Sequence, residues 1–127
     1  MRALAPTLCL FLTSCGGAYD GTYAGTLSGT IDCDDGTHQS TTANVSWDIT
    51  TAGESLTVDP HGTCGTYSGS LFETSGTIAA KTCSGTNSIQ GGKLTFSASS
   101  VIVSITASTR IDGPNCTGTL TGTLSRK

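Results

Sequence analysis

Apolar and polar positions alternate with a period of two along most of the chain after residue 20, and this alternation predicts strands. Residues 22–33 put Tyr23, Gly25, Leu27, Gly29, Ile31 and Cys33 on one face, and Thr22, Ala24, Thr26, Ser28, Thr30 and Asp32 on the other. Successive side chains of a strand point to opposite faces, so this pattern gives one core face and one solvent face. The same alternation recurs at Ala43/Val45/Trp47/Ile49, Leu56/Val58, Tyr67/Gly69/Leu71 and Gly76/Ile78/Ala80. It returns at Leu94/Phe96/Ala98, at Val101/Val103/Ile105/Ala107 with Ile111 beyond, and at Cys116/Gly118/Leu120/Gly122/Leu124. Turn-forming pieces separate the runs, among them Asp34-Asp35-Gly36, Ala52-Gly53-Glu54, Asp59-Pro60-His61-Gly62 and Asp112-Gly113-Pro114. The expectation is an all-β domain of about eight antiparallel strands closed as a small up-and-down barrel, with a β-sandwich as the alternative.

Composition agrees with strands. Thr, Ser and Gly dominate, and Gly and β-branched Thr are poor helix formers while Thr is favoured in sheets. Many inward positions are glycines: Gly25, Gly29, Gly69, Gly76, Gly118 and Gly122. Either they relieve crowding where a small barrel curves, with Trp47, Phe96, Tyr67 and Phe72 filling the interior, or they leave a cavity. Such a cavity would be lined by Leu27, Trp47, Phe96 and Ile105. The filled interior is the leading expectation. A resemblance to lipocalins extends to size, strand number and topology only, with no motif of that family present, so it transfers no binding residue.

The N-terminus departs from the strand pattern. Arg2 precedes an apolar run from Ala3 to Leu12, which is too short to span a bilayer and has the form of an export leader. The following Leu12-Thr13-Ser14-Cys15 resembles the lipobox of bacterial lipoproteins. That resemblance covers residues 1–16 and implies a diacylglyceryl group on the Cys15 sulfur, with Cys15 as the first residue of the mature chain. Gly16 stands where an Asp would favour inner-membrane retention, so the resemblance implies a bacterial cell-envelope protein anchored at the outer membrane. The domain plan is then a lipoprotein signal peptide over 1–14, a small flexible tether over 15–21, and a single β domain over 22–127.

Of the six cysteines, Cys9 lies in the leader and Cys15 at the anchor, leaving Cys33, Cys64, Cys83 and Cys116. An even number in an exported chain reads as disulfides, and no C-x-x-C or His-flanked pair suggests zinc. Parity favours two pairs. Cys33 and Cys116 share the inward face at the end of the first strand and the start of the last. Cys64 and Cys83 fall opposite each other in a hairpin about Glu73-Thr74, in the register that pairs Leu71 with Gly76, and on its outer face. A Cys33–Cys116 bridge would join the first strand to the last and close the barrel.

Candidate chemistry is sparse. The net charge is −3 with no Lys/Arg cluster, which excludes nucleic acid as a partner. His38 and His61 occupy polar turns, and no Gly-x-Ser-x-Gly elbow or His-Glu-x-x-His helix is present. Asp32, Asp34 and Asp35 lack the later Glu of a calcium loop and read as solvated turn residues. No catalytic residue, metal or cofactor is therefore expected. The function expected is a non-enzymatic envelope lipoprotein, held to the membrane by its lipid and acting as a structural or protein-interaction module. The alternative is a lipocalin-like carrier or sensor of a small apolar ligand. The polar stretches 34–41 and 84–92 are where such a barrel would carry specificity.

Overall fold

The computed structural model describes residues 17–62, 64–83, 87–110 and 113–127, the side chain of Arg110 apart. Cys9, Cys15, Ile111 and the whole leader lie outside the described residues. The alternating stretches form β1 (Gly21–Cys33), β2 (His38–Ala52), β3 (Ser55–Asp59), β4 (Tyr67–Phe72), β5 (Ser75–Ile78), β6 (Lys81–Thr82), β7 (Ser88–Phe96), β8 (Ser100–Arg110) and β9 (Asn115–Arg126). Each strand pairs antiparallel with its neighbour in sequence, β5 and β6 excepted, and β1 also pairs with β9, from Tyr23 opposite Arg126 to Cys33 opposite Cys116. Both β5 and the two-residue β6 lie against β7, so they are two pieces of one position in the wall. The result is a closed eight-stranded up-and-down barrel.

Closure follows from the pattern. With one apolar face on every strand, the sheet buries its inner face against itself and leaves no first or last edge exposed along the β1–β9 seam. Tyr23, Leu27, Ile49, Leu56, Val58, Leu94, Val101, Val103 and Leu124 are almost wholly removed from solvent. Their outward neighbours are mostly Thr and Ser. The glycines serve close strand approach: a Cβ on Gly29 would lie 1.8 Å from the carbonyl oxygen of Thr119 on β9. One on Gly69 would lie equally close to the Thr77 carbonyl on β5.

The two ends differ. At the base, where β1 begins and β9 ends, the aromatics fill the interior. Tyr23 meets Phe96 edge-on at 6.1 Å between ring centroids, and Trp47 meets Tyr67 at 6.3 Å. Phe72, expected inside with them, is instead 71% exposed. It shares the outward face of Ser68 and Ser70, while Leu71 takes the inward position. Ala80 and Ala98 are also exposed, because the first lies in a break of the wall and the second in the β7–β8 turn.

At the opposite end, the rim, the wall has uneven height. β1, β2, β8 and β9 run for 13, 15, 11 and 12 residues, whereas β3, β4 and β5 have 5, 6 and 4. β3 pairs only with Asp48–Ala52 of β2. From His38 to Trp47, β2 has a ladder partner on its β1 side alone among the described residues. The low side is bridged by the Cys64–Cys83 disulfide, and a second disulfide joins Cys33 to Cys116 across the β1–β9 seam.

Cys64–Cys83 does not lie on the outer face. Both sulfurs' residues are half-buried and pack against the core. The parity expected from Ile78 breaks at Ala79-Ala80, so Lys81 becomes the partner of buried Ile89, and Cys83 follows on the inward side. β7 makes the matching adjustment, with a register shift between Ile89 and Gly91 that leaves Gln90 unpaired. Two facing strands thus change phase at one level, as a bulge permits.

An apolar cup at the disulfide end

A cavity of about 220 Å³ opens at the rim. Its apolar wall is made by Ile31 of β1, Ile89 of β7, Ala107 of β8, Leu120 of β9 and the Cys64, Cys83 and Cys116 side chains. Gly118 adds bare backbone, and Thr41, Asn87, Ser88, Ser108 and Thr109 complete the lining. The cup exists because small inward residues, Ala107 and Gly118, face each other across β8–β9 just above the level where β3 and β4 supply side chains to the core.

Four of the polar residues of the cup pair with one another. Ser88 and Ser108 hydroxyls are 2.7 Å apart, and the Thr109 hydroxyl donates to the Asn87 side-chain oxygen. This leaves the interior apolar, without a charged group to fix a polar ligand. Sites of that kind hold guests by shape and exclusion of water.

Leu27, Trp47, Phe96 and Ile105, the residues expected to line a cavity, are all buried in the packed core, and none lines the cup. The cup lies nearer the rim. The sequence pattern had marked Ile31, Ala107, Gly118, Leu120 and Cys116 as inward, but nothing in it gave the heights of the facing strands. Of the two polar stretches, Thr41 from one and Asn87, Ser88 and Ile89 from the other line the cup, while residues 84–86 lie outside the described residues.

The titratable side chains form separate, exposed pairs. His38 Nδ1 contacts Asp32 across the β1–β2 ladder. Asp35 accepts from the Thr37 backbone at 2.9 Å, and its hydrogen bonds to Thr37 hold its carboxyl below the usual carboxylate range. His61 lies between two carboxylates brought together by the Asp48–Asp59 register: Nε2 is 2.8 Å from Asp48, and Nδ1 is 3.7 Å from Asp59. The Thr22 hydroxyl donates to Asp48 at 2.6 Å, and this bond, with that to His61, lowers the Asp48 pKa.

This arrangement is not a nucleophile relay. A relay needs one ring nitrogen on a carboxylate and the other on the hydroxyl to be activated. Here both nitrogens face carboxylates, and the nearby hydroxyl gives its proton to Asp48 instead. The carboxylates also flank opposite sides of the ring, so they cannot share one ion with a single imidazole nitrogen. Among the described residues no group of three or more His, Cys, Asp or Glu side chains is placed to hold a metal.

Residues 17–20, read as part of a flexible tether, are packed on the base. Tyr19 stacks on Phe96 at 4.6 Å, and Asp20 accepts from both the backbone and hydroxyl of buried Thr51, at 2.6 and 2.9 Å. Arg126 donates to the Ala18 carbonyl at 2.9 Å and to the Tyr23 hydroxyl at 3.0 Å. The fold places the chain among small closed antiparallel β-barrels, here with an apolar cup among the described residues. No family model matches the chain, and no curated protein is significantly similar to it.

Proposed function

We propose that this is a lipid-anchored envelope protein whose barrel binds a small apolar group in the rim cup, without catalysing a reaction. The observation that carries the reading is the cup itself: a 220 Å³ apolar cavity beside the packed core. A dry cavity of about 150 Å³ in another protein admits benzene, so this one has room for roughly nine heavy atoms. It falls below the volume range of drug-sized sites. The guest is therefore a single ring, a short branched chain, or the end of a longer chain entering through the open mouth. Anchoring through a diacylglyceryl group on Cys15, at the outer membrane, is the second part of the proposal and rests on the Leu12-Thr13-Ser14-Cys15 lipobox.

The test is a titration with a panel of alkylbenzenes and short-chain alcohols followed by methyl NMR. Saturable shifts at Ile31, Ile89, Ala107 and Leu120, with Leu27 and Val103 unmoved, are the expected result. Ala107→Leu, which fills the cup from its own wall, should abolish them. Shifts that never saturate, or that survive Ala107→Leu, would overturn the reading.

A further inference from the structure

We propose that the base of the barrel is a membrane-contact surface, seated on phospholipid with Phe72 entering the interfacial layer, so that the cup opens away from the bilayer. The proposal rests on lipidation at Cys15. Its evidence lies at the other end of the short linker. Gly17 sits against Thr51, so closely that a Cβ on it would meet the Thr51 hydroxyl at 1.7 Å. Tyr19, Ala18 and Asp20 are each held by a stacked ring or a hydrogen bond to the base. The exit point of the anchor is thus fixed on the barrel. Cys15 precedes Gly17 by two residues, which span at most about 7 Å of chain. A lipid on Cys15 can only hold this barrel close to the headgroups, and with this end nearest.

The surface at that end fits such a position. Phe72 and Ile102 are the exposed large hydrophobics among the described residues, at 71% and 56%. Both lie near the base. Phe72 ends β4 and pairs with Ser75; Ser75 pairs with Thr95; and Thr95 pairs with Ile102, two residues into β8. They therefore share one outward row near the base, on the β4–β5–β7–β8 side of the barrel. Aromatic side chains favour the boundary between headgroups and acyl chains.

Charge adds little to the contact. Glu54, Glu73 and Lys127 are exposed at the base, and Arg126 is engaged with Tyr23 and Ala18. Attraction to anionic lipid is consequently not what holds the base down, and high salt should leave it in place. Orientation follows. β1 runs 13 residues from base to rim. At about 3.3 Å per residue and the tilt of a barrel strand, that lifts the cup roughly 30 Å from the lipid. Its guest would be collected from the aqueous side.

The test uses full-length lipidated protein in phosphatidylcholine vesicles with brominated acyl chains, which quench nearby indoles. The single natural tryptophan, Trp47, is buried in the core and serves as a common background. Phe72→Trp at the base should lose several-fold of its added emission, in low and high salt alike, whereas Thr37→Trp at the rim should keep its own. Quenching at Thr37→Trp, or at neither position, overturns the proposal. Intact mass separates this from a failure of the underlying reading: protein without a diacylglyceryl group on Cys15 defeats the anchor and the orientation together, whereas lipidated protein with an unquenched base defeats the orientation alone.

Discussion

Gly29→Ala tests whether the inward glycines are there because β1 and β9 approach too closely for any side chain. The new Cβ would lie 1.8 Å from the Thr119 carbonyl oxygen, 2.9 Å from its carbon and 3.2 Å from the Leu120 Cα. All three atoms are backbone and cannot rotate away. Relief requires the strands to part by more than an ångström around the Gly29–Leu120 pair, which strains the ladder on both sides. Overpacking of this kind costs about 1–3 kcal/mol, and weakening one or two ladder hydrogen bonds adds roughly 0.5–1.5 kcal/mol each. Stiffening of the unfolded chain offsets this by about 0.4–1 kcal/mol. The net expectation is a loss of roughly 2–4 kcal/mol, a large part of the 5–15 kcal/mol typical of a domain. Urea unfolding followed by Trp47 emission measures it directly. Gly62→Ala is the control, since a Cβ there meets nothing within 4 Å. If Gly29→Ala unfolds at the same urea concentration as Gly62→Ala, the close-approach argument is wrong.

Other consequences follow from the same geometry. Replacing Cys33 and Cys116 by Ala should cost more stability than replacing Cys64 and Cys83: their separations of 83 and 19 residues correspond to about 4.5 and 3 kcal/mol of loop entropy. Calorimetry of the two double variants gives the order, and a reversed order would mean that the short-loop bridge acts chiefly by holding the rim together. Leu27→Ala, in the packed core, should lose about 2–5 kcal/mol, whereas Leu120→Ala, already half-exposed in the cup, should lose far less and enlarge the site. Similar losses in denaturant titrations would show that the cup is not a preformed void. The Asp48 carboxyl is lowered from 3.8 by Thr22 first and His61 second. Its contribution to stability is therefore present above that value and lost as pH falls through the lowered folded pKa. Thr22→Val should move the Asp48 titration, read by carboxyl carbon NMR, upward toward 3.8; no movement would remove the hydroxyl as its main partner.

Periodicity made the architecture legible, because a residue's face depends only on its parity within an unbroken strand. Tyr23 and Leu27, or Val101 and Val103, could be assigned inward from sequence alone, and the Leu71–Gly76 register of the hairpin followed from the turn between them. Parity failed wherever a strand was interrupted. Ala79-Ala80 and Gln90 shift the phase of facing strands without disturbing the local composition, so Cys83 reads as outward but packs inward. Phe72 misleads for a different reason: hydrophobicity suggests the core, but its position one step past Leu71 directs it outward. The cup was illegible because it depends on relative strand lengths around the barrel. His61 was visible beside Asp59, whereas its contact with Asp48 needed the β2–β3 register.

The barrel separates what holds it together from the space it leaves open. Aromatics, docked residues 17–20 and the short strands β3 to β5 crowd the base. Above that level β1, β2, β8 and β9 continue together with β7 and its short partner β6, and on the low side the segment before β4 is tied to the end of β6 by the Cys64–Cys83 bridge. Disulfides are suited to that place. They hold the segments across the opening without filling it, and their sulfurs add apolar surface to the cup. Side chains large enough to close the cavity would make the bridge redundant, whereas a bridge without small residues beneath it would cover a solid core. Ala107, Gly118 and the Cys64–Cys83 bond therefore make sense together, as the parts of an opening that stays open.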